Sequence, residues 1–207
     1  MTAIQRIPAA QGPIASTSKL PCPTTGELDR GDLRQICTQQ SSGKDFIPQA
    51  SEIIPDRLYL ADMYTATDNA TLERLGITHV VSVVTQTWHR YPAPIRHLYL
   101  PIDDLPTSNL IGYLTSSVAW IKNAFDEDEH AKVMVHCVWG MSRSASIVIA
   151  YLMTVGRISL VDALALVKSK RPVVRPNHGF FRQLLAYEIK LRQARLGLHR
   201  RESSMGS

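Results

Sequence analysis

The sequence predicts an α/β fold, a central and mostly parallel twisted sheet flanked by helices, and three observations lead to it. Ile77 to Val84 is an apolar run rich in β-branched residues, Ile95 to Ile102 reads as the next strand, and Lys132 to Val135 has the short apolar character of a strand buried on both faces. Between and after these runs lie stretches with apolar residues three and four apart, Leu110 to Asp126 among them. Ser144 to Val155 is apolar almost all round, the mark of a helix enclosed by protein. Strands alternating with helices call for a sheet whose faces the helices cover.

The elements follow in order. Residues 1–50 carry Pro8, Pro13, Pro21, Pro23 and Pro48 and the polar run QICTQQSSGKD, without a sustained period, so an N-terminal extension is expected, plain solvated chain or a docking arm. The folded domain is expected over 51–196 and a frayed tail over 197–207. Ile53 and Ile54, a Pro55-Asp56 turn, then Leu58, Tyr59 and Leu60 predict a strand pair or one bent strand. A short helix is expected from about Asp68 to Leu75, stopped by Gly76. Leu110, Ile111, Leu114, Val118, Ile121 and Phe125 form the apolar face of the next helix, and the acidic DEDEH run at its end reads as a solvated turn. Gly156 closes the helix that begins near Ser144. Ser159 to Lys168 opens on a capping-box-like Ser-Leu-Val-Asp, buries Leu160, Ala163, Leu164 and Val167, and is stopped by Pro172. A last helix from about His178 to Leu196 is expected to bury Phe181, Leu184, Leu185 and Ile189, with Arg192 and Arg195 near its negative end.

Composition narrows the function. Apolar residues make up 44% and charged residues 20% of the 207, which is globular. No apolar run reaches the roughly 18 residues of a membrane span. The start lacks a signal-like apolar segment and a myristoylation glycine, and the end lacks a prenylation box, so an intracellular location, cytoplasmic or nuclear, is expected. A net charge of +5, from 23 basic against 18 acidic residues, suits anionic substrates but is far from the density of a nucleic-acid binder. Cys22, Cys37 and Cys137 are too few and too scattered for a disulfide framework or a metal site, so neither metal nor cofactor is expected.

The chemistry concentrates in His136-Cys-Val-Trp-Gly-Met-Ser-Arg-Ser144, where a strand, a loop and a helix meet. A loop running into a helix N-terminus presents unpaired N–H groups and the positive end of the dipole, a cradle for a phosphate dianion. Val138, Trp139, Gly140, Met141 and Ser142 supply that cradle, with Gly140 allowing the tight turn. Arg143 can offer a planar fork to two phosphate oxygens, which a lysine cannot. At the floor of those donors Cys137 is held as a thiolate, because the field that binds an anion also lowers a thiol pKa. Thiolate attack on phosphorus expels an oxyanion that needs a proton at neutral pH, and the Asp103-Asp104 pair after Ile102 supplies candidate donors.

This loop resembles the His-Cys-five residues-Arg-Ser loop of the protein tyrosine phosphatase superfamily, and SRSASIVIAYLM is similar to its dual-specificity branch, with the likeness running from about Glu52 to Leu191. Residues 1–50 are too short for an added kinase-targeting domain, so the resemblance is to the small atypical enzymes. It implies a protein tyrosine phosphatase-like fold and a phosphorylated protein as substrate. It implies hydrolysis through a cysteinyl-phosphate, of phosphotyrosine first and of phosphoserine or phosphothreonine if the pocket admits them. The general acid of that branch, at the end of a Pro-Ile-x-Asp segment, maps onto Asp104. Ser144 would donate a hydrogen bond to the departing thiolate. His136 would tune the thiolate by hydrogen bonding, with a satisfied core histidine as the other reading. RPVVRPNHGFFRQL resembles the family segment packed behind the loop, which implies that Asn177 stiffens it; on sequence alone Asn177 reads equally as a helix cap.

One feature departs from the family, and a second bears on the substrate. Trp139 stands where relatives commonly carry a small residue, and either lines the pocket mouth or packs against the domain. No lysine lies between Cys137 and Arg143, which points away from lipid phosphates. A catalytically silent phosphate-recognising module is the runner-up, behind the enzyme because Cys137, Arg143 and an acid are all present; a sulfur-transferring or arsenate-reducing loop would not need Asp104 or would want nearby resolving cysteines. The oligomeric state is not legible in the sequence.

Overall fold

The computed structural model describes residues 49–86 and 89–205, the last eight as backbone only, so the expectations for residues 1–48, Cys22 and Cys37 among them, lie outside the described residues. Five strands form one sheet in the order β1-β2-β5-β3-β4. β1 (Ser51–Ile54) and β2 (Leu58–Asp62) are the antiparallel pair expected around the Pro55-Asp56 turn, with an irregularity between Glu52 and Ile54. β2 runs parallel to β5 (Val133–Cys137), β5 to β3 (His79–Val83) and β3 to β4 (Arg96–Leu100). β5 is thus the central strand, and all five of its side chains are buried.

Alternation along the strands separates two cores. Val133, Val135 and Cys137 join Leu58, Leu60, Val81, Val83 and Leu100 on one face, under α3 (Ile111–Glu127), α4 (Arg143–Val155), α5 (Leu160–Lys170) and α6 (His178–Met205). Met134 lies on the other face with Tyr59, Ala61 and Val80, covered by α1 (Met63–Ala66) and α2 (Asn69–Leu75) through Ala66 and Leu72. α4 is enclosed on every side from Arg143 to Met153, as its composition requires. No helix among the described residues is long and apolar enough to cross a membrane.

Helix ends follow local chemistry. Asp68 caps α2 by accepting from the Thr71 N–H, and Gly76 ends it. Ser159 caps α5 by accepting from the Asp162 N–H. The single turn α1, capped by Asp62 through the Thr65 N–H and hydroxyl, has too few residues to show a period. At the start of α3 the side chain of Asn109 accepts from the Gly112 N–H at 3.1 Å, and Gln183 of α6 adds a second acceptor, its Oε1 taking the N–H groups of Leu110 and Ile111 at 2.8 Å each.

The expectation for α6 needs two corrections. The helix does not end at Leu196 but continues to Met205, since that stretch holds no proline and the one glycine inside it costs only about 1 kcal/mol. Its buried face carries Phe180, Leu184 and Tyr187, whereas Leu185 and Ile189 are 41% and 56% exposed. The phase is set at the N-terminus, where Gly179 lies so close to the loop after β4 that an added Cβ would stand 1.9 Å from the Pro106 carbonyl oxygen.

Candidate active site

The register places Cys137 at the carboxyl end of the central parallel strand, beside Asp62 of β2. This is the end of a parallel sheet at which ligand sites form, because the loops leading into helix N-termini gather there. Residues 138–142 turn the chain from β5 into α4, and the turn passes through Gly140 at φ +65°, a conformation that disfavours any side chain. An added Cβ at Gly140 would also stand 2.6 Å from the carbonyl oxygen of Ala61.

Every carbonyl of this turn from Val138 to Met141 is held from behind. Val138 O accepts from the Met63 N–H at 3.1 Å, and Met141 O from the Arg175 N–H at 2.8 Å. Trp139 O and Gly140 O accept from Nη2 and Nε of Arg171 at 3.1 and 3.0 Å. In a planar trans peptide the N–H points opposite to the C=O, so pinning four carbonyls to the scaffold turns the N–H groups of residues 139–142 toward the other side. The Gly140 N–H accordingly meets Cys137 Sγ at 3.2 Å.

Cys137 is buried, and burial alone would push its thiol up. The charge of Arg143 and the hydroxyl and N–H of Ser144 outweigh that, leaving the thiol below its ordinary value, with Asp104 opposing. The Ser144 hydroxyl donates to Sγ at 3.1 Å from a fully buried position. Arg143, its side chain 8% exposed, donates from Nη1 to Ile102 O at 3.3 Å. Its Nε is buried without a hydrogen-bond partner among the described residues, 3.6 Å from Asp104 Oδ2.

Asp104, 16% exposed, faces this centre, whereas Asp103 turns aside and accepts from the Thr85 hydroxyl at 2.6 Å. Asp104 Oδ1 accepts from the Ser142 hydroxyl at 2.6 Å and from Asn177 Nδ2 at 2.8 Å. Asn177 bonds both to the loop and to the start of α6. Its backbone N–H donates to the Ser142 hydroxyl at 3.1 Å, and its side-chain oxygen caps α6 by accepting from the Phe180 N–H at 2.9 Å. Ser142, read as a cradle residue, is therefore also the link between the loop, the acid and α6.

His136 alternates to the far face of β5. Its Nε2 lies 2.6 Å from Ser82 Oγ and 2.9 Å from Tyr91 Oη, and its Nδ1 lies 3.4 Å from the carbonyl oxygen of Cys137. Burial, with the nearby charges of His97, His89 and Arg143, pushes it down to about 3 against the carbonyl bond of Cys137, so the ring is neutral at pH 7 and lends the thiolate no charge. Trp139 is half-buried. Among the described residues no cluster of three or more His, Cys, Asp and Glu could hold a metal ion. Sequence reasoning missed Arg171, Ser82 and Tyr91. Arg171 opens the segment RPVVRPNHGFFRQL, whose likeness to the family piece packed behind the loop is the signal that could have found it, whereas Ser82 and Tyr91 carried none.

The chain matches the family described as dual specificity phosphatase, catalytic domain, over residues 58–190. It is 38% identical over 157 residues to dual specificity protein phosphatase 26 of Bos taurus, covering 73% of this chain and 73% of that protein, and equally to the Homo sapiens protein of the same name. The crystal structure of human DUSP28 superposes with a TM-score of 0.66 at 33% identity, covering 71% of this chain and 97% of that one. That of DUSP15 gives 0.64 at 30% identity, covering 70% and 93%. The strand-loop-helix with its cysteine at the hinge thus sits in a shared fold and a shared sequence, and the chain belongs to the dual-specificity phosphatases, in the small atypical branch of the protein tyrosine phosphatase superfamily.

Proposed function

We propose that this cysteine-dependent protein phosphatase divides its reaction among Cys137, Arg143, Asp104 and Ser144, with the N–H groups of residues 139–142 as the phosphate cradle. A phosphate monoester dianion on a phosphorylated protein enters the loop and takes up those N–H groups and the guanidinium of Arg143. The Cys137 thiolate forms a bond to phosphorus as the bond to the leaving oxygen breaks, and Asp104 gives that oxygen its proton. Water then attacks the cysteinyl-phosphate, its proton passes to Asp104, and the sulfur leaves as a thiolate that accepts the Ser144 hydroxyl bond. His136 and Asn177 support the loop and the acid. The reaction needs no metal or cofactor, and a reducing intracellular location suits its thiolate.

The observation that carries this reading is the convergence on Cys137 Sγ of the Gly140 N–H at 3.2 Å and the Ser144 hydroxyl at 3.1 Å, with Arg143 and Asp104 paired beside it. Hydrolysis of an aryl phosphate tests it. Cys137→Ser is expected to abolish turnover while leaving vanadate binding measurable, and Asp104→Ala to lower kcat by roughly 10² to 10⁴-fold. Asp103→Ala is expected to leave kcat close to the parent value. Turnover that survives Cys137→Ser, or that falls as far with Asp103→Ala as with Asp104→Ala, would refute the assignment.

A further inference from the structure

We propose that Arg171 is a positioning residue for the reaction, its buried guanidinium clamping the carbonyls of Trp139 and Gly140 so that the phosphate-binding N–H groups of the loop are aimed before substrate arrives. This rests on Cys137 and its loop being the phosphatase centre. Arg171 is the residue at which α5 ends, its own N–H still bonded to Val167 O at 2.8 Å, and its side chain is buried behind the loop. Nε donates to Gly140 O at 3.0 Å and Nη2 to Trp139 O at 3.1 Å, while Nη1 reaches Gln49 O at 3.1 Å and Ser51 Oγ at 3.3 Å. The carboxylate of Asp62, the residue paired with Cys137 in the sheet, lies 3.6 Å from Nη2.

One rigid fork therefore ties the middle of the loop to the end of β2 and the start of β1, so the loop is referenced to β2, the strand paired with the one that carries the nucleophile. The two peptides it grips are those whose N–H groups belong to Gly140 and Met141, the first of which already meets Cys137 Sγ. A lysine could not span these acceptors, since an ammonium offers its donors from a single point. The guanidinium is pushed below its ordinary value by burial, with the charges of Asp62 and Cys137 acting the other way, so the cation and the thiolate stabilise each other across the loop.

The test measures Arg171→Lys and Arg171→Met in the full chain with an aryl phosphate as substrate and orthovanadate as inhibitor. Both are expected to weaken vanadate inhibition, raise KM and lower kcat/KM by about 10²-fold, the scale of a misplacement of about 1 Å. Both are expected to move the pH midpoint for iodoacetate alkylation of Cys137 upward, with lysine recovering little of the loss. Unchanged vanadate inhibition and an unchanged alkylation profile, alongside a lower melting temperature, would make Arg171 a fold-stabilising residue alone and overturn the proposal. If neither variant folds, Asp62→Asn is measured in the same way. A smaller shift in the same direction is expected, and no shift in either readout overturns the proposal. Cys137→Ser, made in parallel, separates the two claims: turnover surviving in it refutes the site, whereas its loss with an intact Arg171→Lys refutes only the clamp.

Discussion

Asn177 Nδ2 donates to Asp104 Oδ1 across 2.8 Å, so one side chain joins the start of α6 to the loop after β4. Its oxygen end is occupied by the Phe180 N–H as the helix cap, which fixes which end of the carboxamide faces the acid. Asn177→Asp keeps a capping oxygen but replaces the donor with a like charge beside Asp104. Melting temperature is expected to change little, and kcat to fall by about tenfold, a fraction of what a general acid is worth. The loss should be largest for phosphate esters whose leaving group is a poor one and smallest for a good one. A uniform loss across a leaving-group series would mean that Asn177 acts on phosphate binding and not on the acid.

Ser144 is buried against Sγ, and its hydroxyl is one of the groups that hold the Cys137 thiol below its ordinary value. Hydrogen bonds to charged groups are worth about 1.5 to 3 kcal/mol, so Ser144→Ala is expected to raise the pH midpoint of Cys137 alkylation by roughly one unit. Activity on the acid side of the profile should shrink with it. Because the same bond stabilises the leaving thiolate, the variant should also show a burst of phenol release followed by slow turnover. Alkylation and kinetics unchanged from the parent would leave Ser144 a packing residue.

Gly179 makes room for the acid loop. A Cβ there would stand 1.9 Å from the Pro106 carbonyl oxygen, and this is backbone that cannot swing away as a side-chain end can. Gly179→Ala is expected to cost about 1 to 3 kcal/mol, read by urea unfolding. It should lower kcat as well, because the displaced loop carries Asp104 two residues before Pro106. A neutral result in both would show that α6 shifts freely on this loop.

The residues that could be read in advance owe their places to local chemistry. Cys137, Gly140 and Arg143 lie within one turn of chain between a buried strand and an enclosed helix, and both neighbours announce themselves by composition. The place after a strand offered Asp103 and Asp104 alike, and only the resemblance to the family's Pro-Ile-x-Asp segment singled out Asp104. By contrast α6 carries apolar doublets, Phe180-Phe181 and Leu184-Leu185, so spacing alone supports two faces a step apart; the close approach at Gly179 decides between them, and that approach is long-range. β4 has the composition of a strand but lies at the sheet edge and is largely exposed, because strand order is a property of the whole topology. Arg171 and Ser82 reach the site from 31 and 54 residues away in sequence, through hydrogen bonds that no spacing in the chain reports.

The buried His136 gives the fold an acid limb. In the unfolded chain a histidine takes up its proton near pH 6.5, whereas in the fold burial holds it to about 3. Between those values the unfolded state binds more protons, so stability rises with pH across the window and is lost as pH falls through it, at up to about 1.4 kcal/mol per unit. His79 and His97, also lowered chiefly by burial, act with the same sign. His136→Asn removes the titration while leaving a polar side chain for Ser82 and Tyr91. Urea unfolding at intervals from pH 7 to pH 4 is expected to show the parent losing stability more steeply than the variant, even if the variant is less stable at pH 7. Parallel slopes would place the proton uptake on other groups and remove His136 from the acid limb.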